Sequence, residues 1–242
     1  MDNTSANSYN EATPFADFEN AFSEKAVRMG FIRKVYGILM VQLAITVGFI
    51  CLFLYQEDLK FYVATHAEVF WIAFALLFVV MLVLVCCDNV RRTFPINLIC
   101  LMLFTLLQSF LLGSAASFYD SEAVLIAVGI CAVICLALTV FAFQTKWDFT
   151  MCSGMLLVAL IVLIVFGFLA ACIPSKVISI VYASLGAAIF SMYIVFDTQL
   201  MLGGNHRYSI SPEEYIAAAL NLYLDIINLF LMILSLVSSA HR

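Results

Sequence analysis

The chain has 242 residues, 65% of them hydrophobic and only 11% charged, and a formal net charge of −5. Soluble domains carry about a quarter charged residues and about half apolar ones, so this composition excludes an ordinary soluble protein and fits a bilayer. The acids crowd into the first residues and the linkers, so the net charge says little about partners, and no basic stripe or motif points to nucleic acid.

Residues 1–24 (MDNTSANSYNEATPFADFENAFSE) are polar, acidic and poor in aliphatic side chains, the composition of a disordered tail. Seven apolar runs follow, at about 35–55, 69–87, 96–118, 123–143, 151–171, 177–202 and 215–237. Each approaches the roughly 20 residues that a helix needs to cross the hydrocarbon. The first is long enough to stay in the membrane as a signal anchor, and no cleavable signal peptide is expected before it. The runs show no period-2 alternation, which argues against a β-barrel. Their linkers are short and polar, so neighbouring helices run antiparallel. The expected fold is an all-α membrane protein with seven transmembrane helices, the transmembrane domain covering 25–238 and a short C-terminal end at 239–242.

Orientation follows the basic residues. One side holds Lys25, Arg28, Arg33, Lys34, Arg91, Arg92, Lys146 and Arg207, the other Lys60, Lys176 and Arg242. Eight against three predicts a cytosolic N-terminus. All eight cysteines lie in or beside apolar runs without zinc spacing, so they read as small hydrophobes; Cys131 and Cys135 share one helix face. Gly203-Gly204 marks the end of the sixth helix, and Ser211-Pro212-Glu213-Glu214 the start of the seventh: N-cap, proline, then two acids on the positive dipole end.

Two acids stand inside apolar runs, Asp197 in the sixth and Asp225 in the seventh. A carboxylate at such depth costs roughly 2.5–3.5 kcal/mol on insertion scales, so it normally faces protein or a water-filled path. Asn221, Asp225, Asn228 and Ser235 recur on one face of the seventh helix, which should therefore point into the bundle. Asp197 lies roughly 7–8 Å and Asp225 roughly 15 Å from the same membrane side at 1.5 Å per residue. Each Cβ leans toward its own helix N-terminus, so on antiparallel helices the two carboxyls converge. Ala183, Ser184, Gly186, Ala187 and Ala188 supply small-residue spacing for close approach of the sixth helix.

Two carboxyls in contact in a low dielectric cannot both ionise cheaply, so the pair is expected to share a proton and titrate as a unit. Fully deprotonated, the pair is a hard-oxygen site suited to Ca²⁺. Arg91 and Arg92, at the end of the second span, are the basic residues placed to latch onto it; their ordinary role is that of topology-setting anchors. Asn221 and Asn228 read equally as lining of a path or as helix–helix glue.

MYIVFDTQLML (192–202) followed by LNLYLDIINLFLMIL (220–234) resembles the Bax inhibitor-1, or transmembrane Bax inhibitor motif, family. SEKAVRMGFIRKVYGILMVQLAIT (23–46) is similar to its lifeguard subgroup, and the resemblance covers roughly 23–238. It implies a seven-helix fold with the last helix central and six around it. It also implies a pH-sensitive Ca²⁺ leak across intracellular membranes, with the endoplasmic reticulum or Golgi expected and the plasma membrane the alternative, and suppression of apoptosis. The family's di-aspartyl sensor falls on Asp197 and Asp225, and its latching arginine on Arg91 or Arg92 of DNVRRTF. The expected partners are Ca²⁺, protons and the lipid bilayer, with cell-death or receptor proteins as further candidates, and neither a cofactor nor an enzymatic activity is expected. The short acidic tail departs from the long Pro/Gly-rich tail of many lifeguard proteins.

Three other readings compete. A seven-span receptor conflicts with the expected cytosolic N-terminus. An intramembrane aspartyl protease needs GxGD at its second acid, where this chain has Tyr223-Leu224-Asp225, and a following PAL segment that this chain lacks. A non-conducting scaffold that binds partners through its loops is the runner-up.

Overall fold

The computed structural model describes the backbone of residues 14–173, 175–203 and 207–241, and the side chains of residues 25–173, 175–203 and 207–240. Nine α-helices and two short 3₁₀ turns are present among the described residues, with no strand. Residues 1–13 of the polar tail lie outside the description; α1 runs Pro14–Tyr55. It is followed by α2 Glu57–Thr65, α3 Ala67–Cys86, α4 Asp88–Arg92, α5 Ile96–Ala116, α6 Ser121–Gln144, α7 Ser153–Cys172, α8 Lys176–Leu202 and α9 Tyr215–His241. Seven of these segments are long and apolar enough to cross a membrane. The expected all-α membrane architecture is therefore the observed one.

The first span is longer than its apolar run, Lys25–Tyr55 rather than 35–55. Phe31 and Ile32 are already buried among the basic residues that precede Val35, so the helix packs before it becomes uniformly apolar. Arg28 donates to the backbone oxygens of Ile210 (2.7 Å) and Met201 (3.4 Å), fastening this basic start of α1 to the α8–α9 linker. Gly203 ends α8 at φ +57, and a Cβ there would stand 2.8 Å from Arg28 Nη2. The backbone conformation calls for glycine, and a larger side chain would also displace the Arg28 guanidinium. Gly204 and Pro174 lie outside the described residues.

The last helix is the core. In its apolar window 56% is buried, against 11% in both α3 and α7. It packs on α8, α6 and α1, and at fewer points on α5, while α3 packs chiefly on α5 and α7 chiefly on α8. Since lipid is as apolar as leucine, polar contacts and close fit must select this arrangement. One cluster ties α1, α5 and α9. Gln42 Nε2 donates to Thr105 Oγ1 (2.9 Å), and Thr46 Oγ1 meets both Ser109 Oγ (2.9 Å) and the Tyr223 hydroxyl (2.8 Å). All five side chains are buried.

Close fit brings helix backbone itself against Gly113 on α5. A Cβ there would lie 2.8 Å from Phe53 Cδ2 and 3.0 Å from the Phe49 backbone oxygen, so α1 itself would have to retreat. Gly113→Ala should destabilise the bundle by roughly 1–3 kcal/mol, read from unfolding midpoints in detergent. Gly129→Ala, with nothing within 4 Å of the new methyl, should be neutral or slightly stabilising by the same assay.

Candidate functional site

Asp197 and Asp225 meet in the α8–α9 seam. Their carboxyls lie within hydrogen-bonding reach of each other, and the residues are only 8% and 7% exposed. Asp225 Oδ2 is buried and takes no hydrogen bond from protein. Both acids line a cavity of about 540 Å³ between α7, α8 and α9, and Asn221 and Asn228 line it too. Three residues of the predicted polar face of α9, Asn221, Asp225 and Asn228, thus border this space, and Ser235 does not. Asn228 donates its amide to the Leu224 oxygen of its own helix (2.8 Å), which leaves its amide oxygen available. Asn221 is exposed, at the end of the cavity nearer the start of α9.

The helices approach through fewer small residues than the pattern suggested. Ala183 and Gly186 are buried, whereas Ser184 and Ala188 face outward, with the Ser184 hydroxyl turned back to Ile180 O (2.8 Å). A helix offers only one face to a neighbour, and these two residues fall off it. Tyr193, one turn before Asp197, also lines the cavity. Its i,i+4 spacing to Asp197 was the available signal.

Arg91 and Arg92 occupy a different place. Arg91 Nε donates to Glu214 Oε2 (2.7 Å) and Arg91 Nη2 to Asp88 Oδ1 (2.6 Å). Arg92 grips Glu214 Oε1 through Nη2 (2.6 Å) and Nε (2.8 Å). Glu214 holds the Arg92 guanidinium above its usual pKa range. Among the described residues, then, the ion-pair partner of both arginines is Glu214, with Asp88 as a second partner of Arg91, and neither arginine pairs with the two aspartates. The reason is depth: Glu214 sits eleven residues before Asp225, roughly 16 Å along the helix axis, at the level where the arginines enter.

Glu214 is therefore more than a helix-start acid. Ser211 Oγ accepts from Glu213 N (3.4 Å) as the expected N-cap, but the Glu214 side chain is buried and joins α4 to α9. Its spacing of eleven from Asp225, three helical turns, puts the two acids on one face, which the sequence could have shown. Around it, Lys34 Nζ lies 3.3 Å from the Tyr215 ring centroid, and the Tyr215 hydroxyl accepts from Asn97 Nδ2 (2.7 Å). Gln199 joins the α6–α7 linker, accepting from Phe149 N (2.8 Å) and donating to Trp147 O (2.9 Å).

The family model "Inhibitor of apoptosis-promoting Bax1" matches residues 28–242. The chain belongs to the Bax inhibitor-1 family. It is 42% identical to Protein lifeguard 3 of Homo sapiens over 219 residues, 89% of this chain and 70% of that one. The mouse protein of the same name is 43% identical over 222 residues, covering 90% and 72%. Bax inhibitor 1 of Schizosaccharomyces pombe is 38% identical over 236 residues, covering 97% and 84%. Family membership brings no cofactor with it. Among the described residues no group of three or more His, Cys, Asp or Glu side chains comes together. A Ca²⁺ ion at the two aspartates would thus need oxygens from the asparagines, backbone or water to complete its shell of six to eight.

The arginine–glutamate junction yields a stability prediction. Arg91 is 19% exposed and Arg92 55%, so the Arg91–Glu214 pair is the better shielded. A double-mutant cycle of Arg91→Ala with Glu214→Ala should give a larger coupling than the cycle with Arg92→Ala. Equal couplings in thermal unfolding would show that burial does not rank these pairs.

Proposed function

We propose that this protein is a pH-sensitive Ca²⁺ leak pathway of an intracellular membrane that favours cell survival, with Asp197 and Asp225 as its proton-sharing element. The observation that carries the reading is the carboxyl pair buried against a cavity whose other polar side chains, Asn221, Asn228, Tyr182 and Tyr193, are all uncharged. Two acids so close in low dielectric are favourable with one proton between them, or with a divalent cation in its place. Protons and Ca²⁺ therefore compete for the same oxygens, and Ca²⁺ occupancy falls as pH drops. The reading is of a non-enzymatic protein.

The basic residues support a cytosolic N-terminus. That would put the Arg91–Arg92–Glu214 junction at the cytosolic end of the path, as an ionic tie between α4 and α9. The endoplasmic reticulum and the Golgi are the membranes this reading favours. The survival role rests on the family, whose description names inhibition of apoptosis-promoting Bax1.

Ca²⁺ flux from purified protein in proteoliposomes across a pH series is the direct test. Wild type should pass Ca²⁺ with a clear pH dependence, whereas Asp225→Asn should flatten that dependence and Asp197→Asn should shift it. Wild type that passes no Ca²⁺ at any pH, yet still protects cells, would favour the partner-binding scaffold.

A further inference from the structure

A second polar cavity, of about 520 Å³, lies at the opposite end of the same α8–α9 seam. Its hydroxyl lining comes from Ser179 in the first turn of α8, Ser235, Ser238 and Ser239 in the last turns of α9, and Tyr119 beyond the end of α5. None of its lining residues carries a charge. The acid cavity ends at Tyr182 on α8 and Met232 on α9. Along each helix the next lining residue, Ser179 or Ser235, is three positions further, roughly 4.5 Å.

What separates the cavities is specific. Met232 lies on Gly186, where a Cβ would stand 2.6 Å from its sulfur and 2.9 Å from its Cγ. Tyr182 packs edge-on against Phe166 (6.0 Å) and against Gly167 of α7. Resting on the reading of a cation path, we infer that the serine cavity is its outer vestibule for hydrated cations, and that Met232, seated on Gly186 beside Tyr182, is the barrier between vestibule and acids.

Neutral hydroxyls can exchange with water on a hard cation without trapping it, as an entry site requires. A narrow apolar point blocks ions by excluding their water. Methionine suits that place, since three rotatable bonds let its thioether swing aside without moving a helix. The polar face of α9 then reads as one line, Asn221, Asp225, Asn228, Ser235 and Ser239, interrupted at Met232. Asn221 stands at its exposed end on the Arg91–Arg92 side.

The test needs no conduction. Ser235→Cys and Asn228→Cys proteins in sealed vesicles are exposed, from the C-terminal side, to a membrane-impermeant thiol reagent, and labelling is read peptide by peptide so that native cysteines do not interfere. Cysteine at 235 should label readily, and cysteine at 228 at least about tenfold more slowly, because the reagent must wait for an opening. Adding Met232→Ala should raise labelling at 228 by roughly the same factor while leaving 235 unchanged, and Met232→Leu should not. Equal labelling at 228 and 235 with Met232 in place, or no response to Met232→Ala, overturns the barrier. So does a parallel rise at the buried native Cys131, which would report loosening of the whole bundle. Protein that passes no Ca²⁺ but shows the expected labelling defeats the function and leaves the barrier standing.

Discussion

Everything in this bundle follows from the need to keep one face of α9 away from lipid. That helix carries an acid near its middle and asparagines on either side, and a carboxylate exposed to acyl chains there would cost several kcal/mol. The chain solves this by putting α9 at the centre. A second acid on α8, at matching depth on an antiparallel helix, then faces the first. The resulting contact is costly unless a proton or a cation is shared. The same feature that forces α9 inward therefore makes the seam chemically responsive.

The two ends of the seam are built differently. Near the start of α9, charge and hydrogen bonds hold the helices. Arg91 and Arg92 close on Glu214, Arg28 reaches the carbonyls of Met201 and Ile210, and Gln199 joins the α6–α7 linker. Toward the end of α9 the seam holds a thioether on a glycine and a cluster of serines, of which Ser239 bonds within its own helix to Ser235 O (2.7 Å). Directional ionic contacts resist separation, whereas a methionine contact can be remade at small cost. The architecture thus has a tied end and a yielding end.

The arginines show how a local competitor redirects an interaction. In the sequence they read as topology-setting anchors that could also latch onto the paired aspartates. A guanidinium that entered the seam would lose hydration on the way, and Glu214 offers a carboxylate at the depth where Arg91 and Arg92 already lie. The nearer acid wins. By its position alone Glu214 reads as an acid on the helix dipole, a role that any acid in the first turn can fill.

The span count, the helical class and the inward face of α9 were legible in the sequence, because they depend on run length, periodicity and the cost of charge in hydrocarbon. The convergence of Asp197 and Asp225 was legible for the same reason, since depth and Cβ direction are properties of single helices. What only the tertiary structure decided are the matters of choice between equally suitable partners. These are which acid takes the arginines, which small residues of α8 meet α9, and where Met232 interrupts the polar line. Periodicity says which face a residue occupies but not which neighbour covers it, because that depends on how separate helices are rotated and spaced against one another.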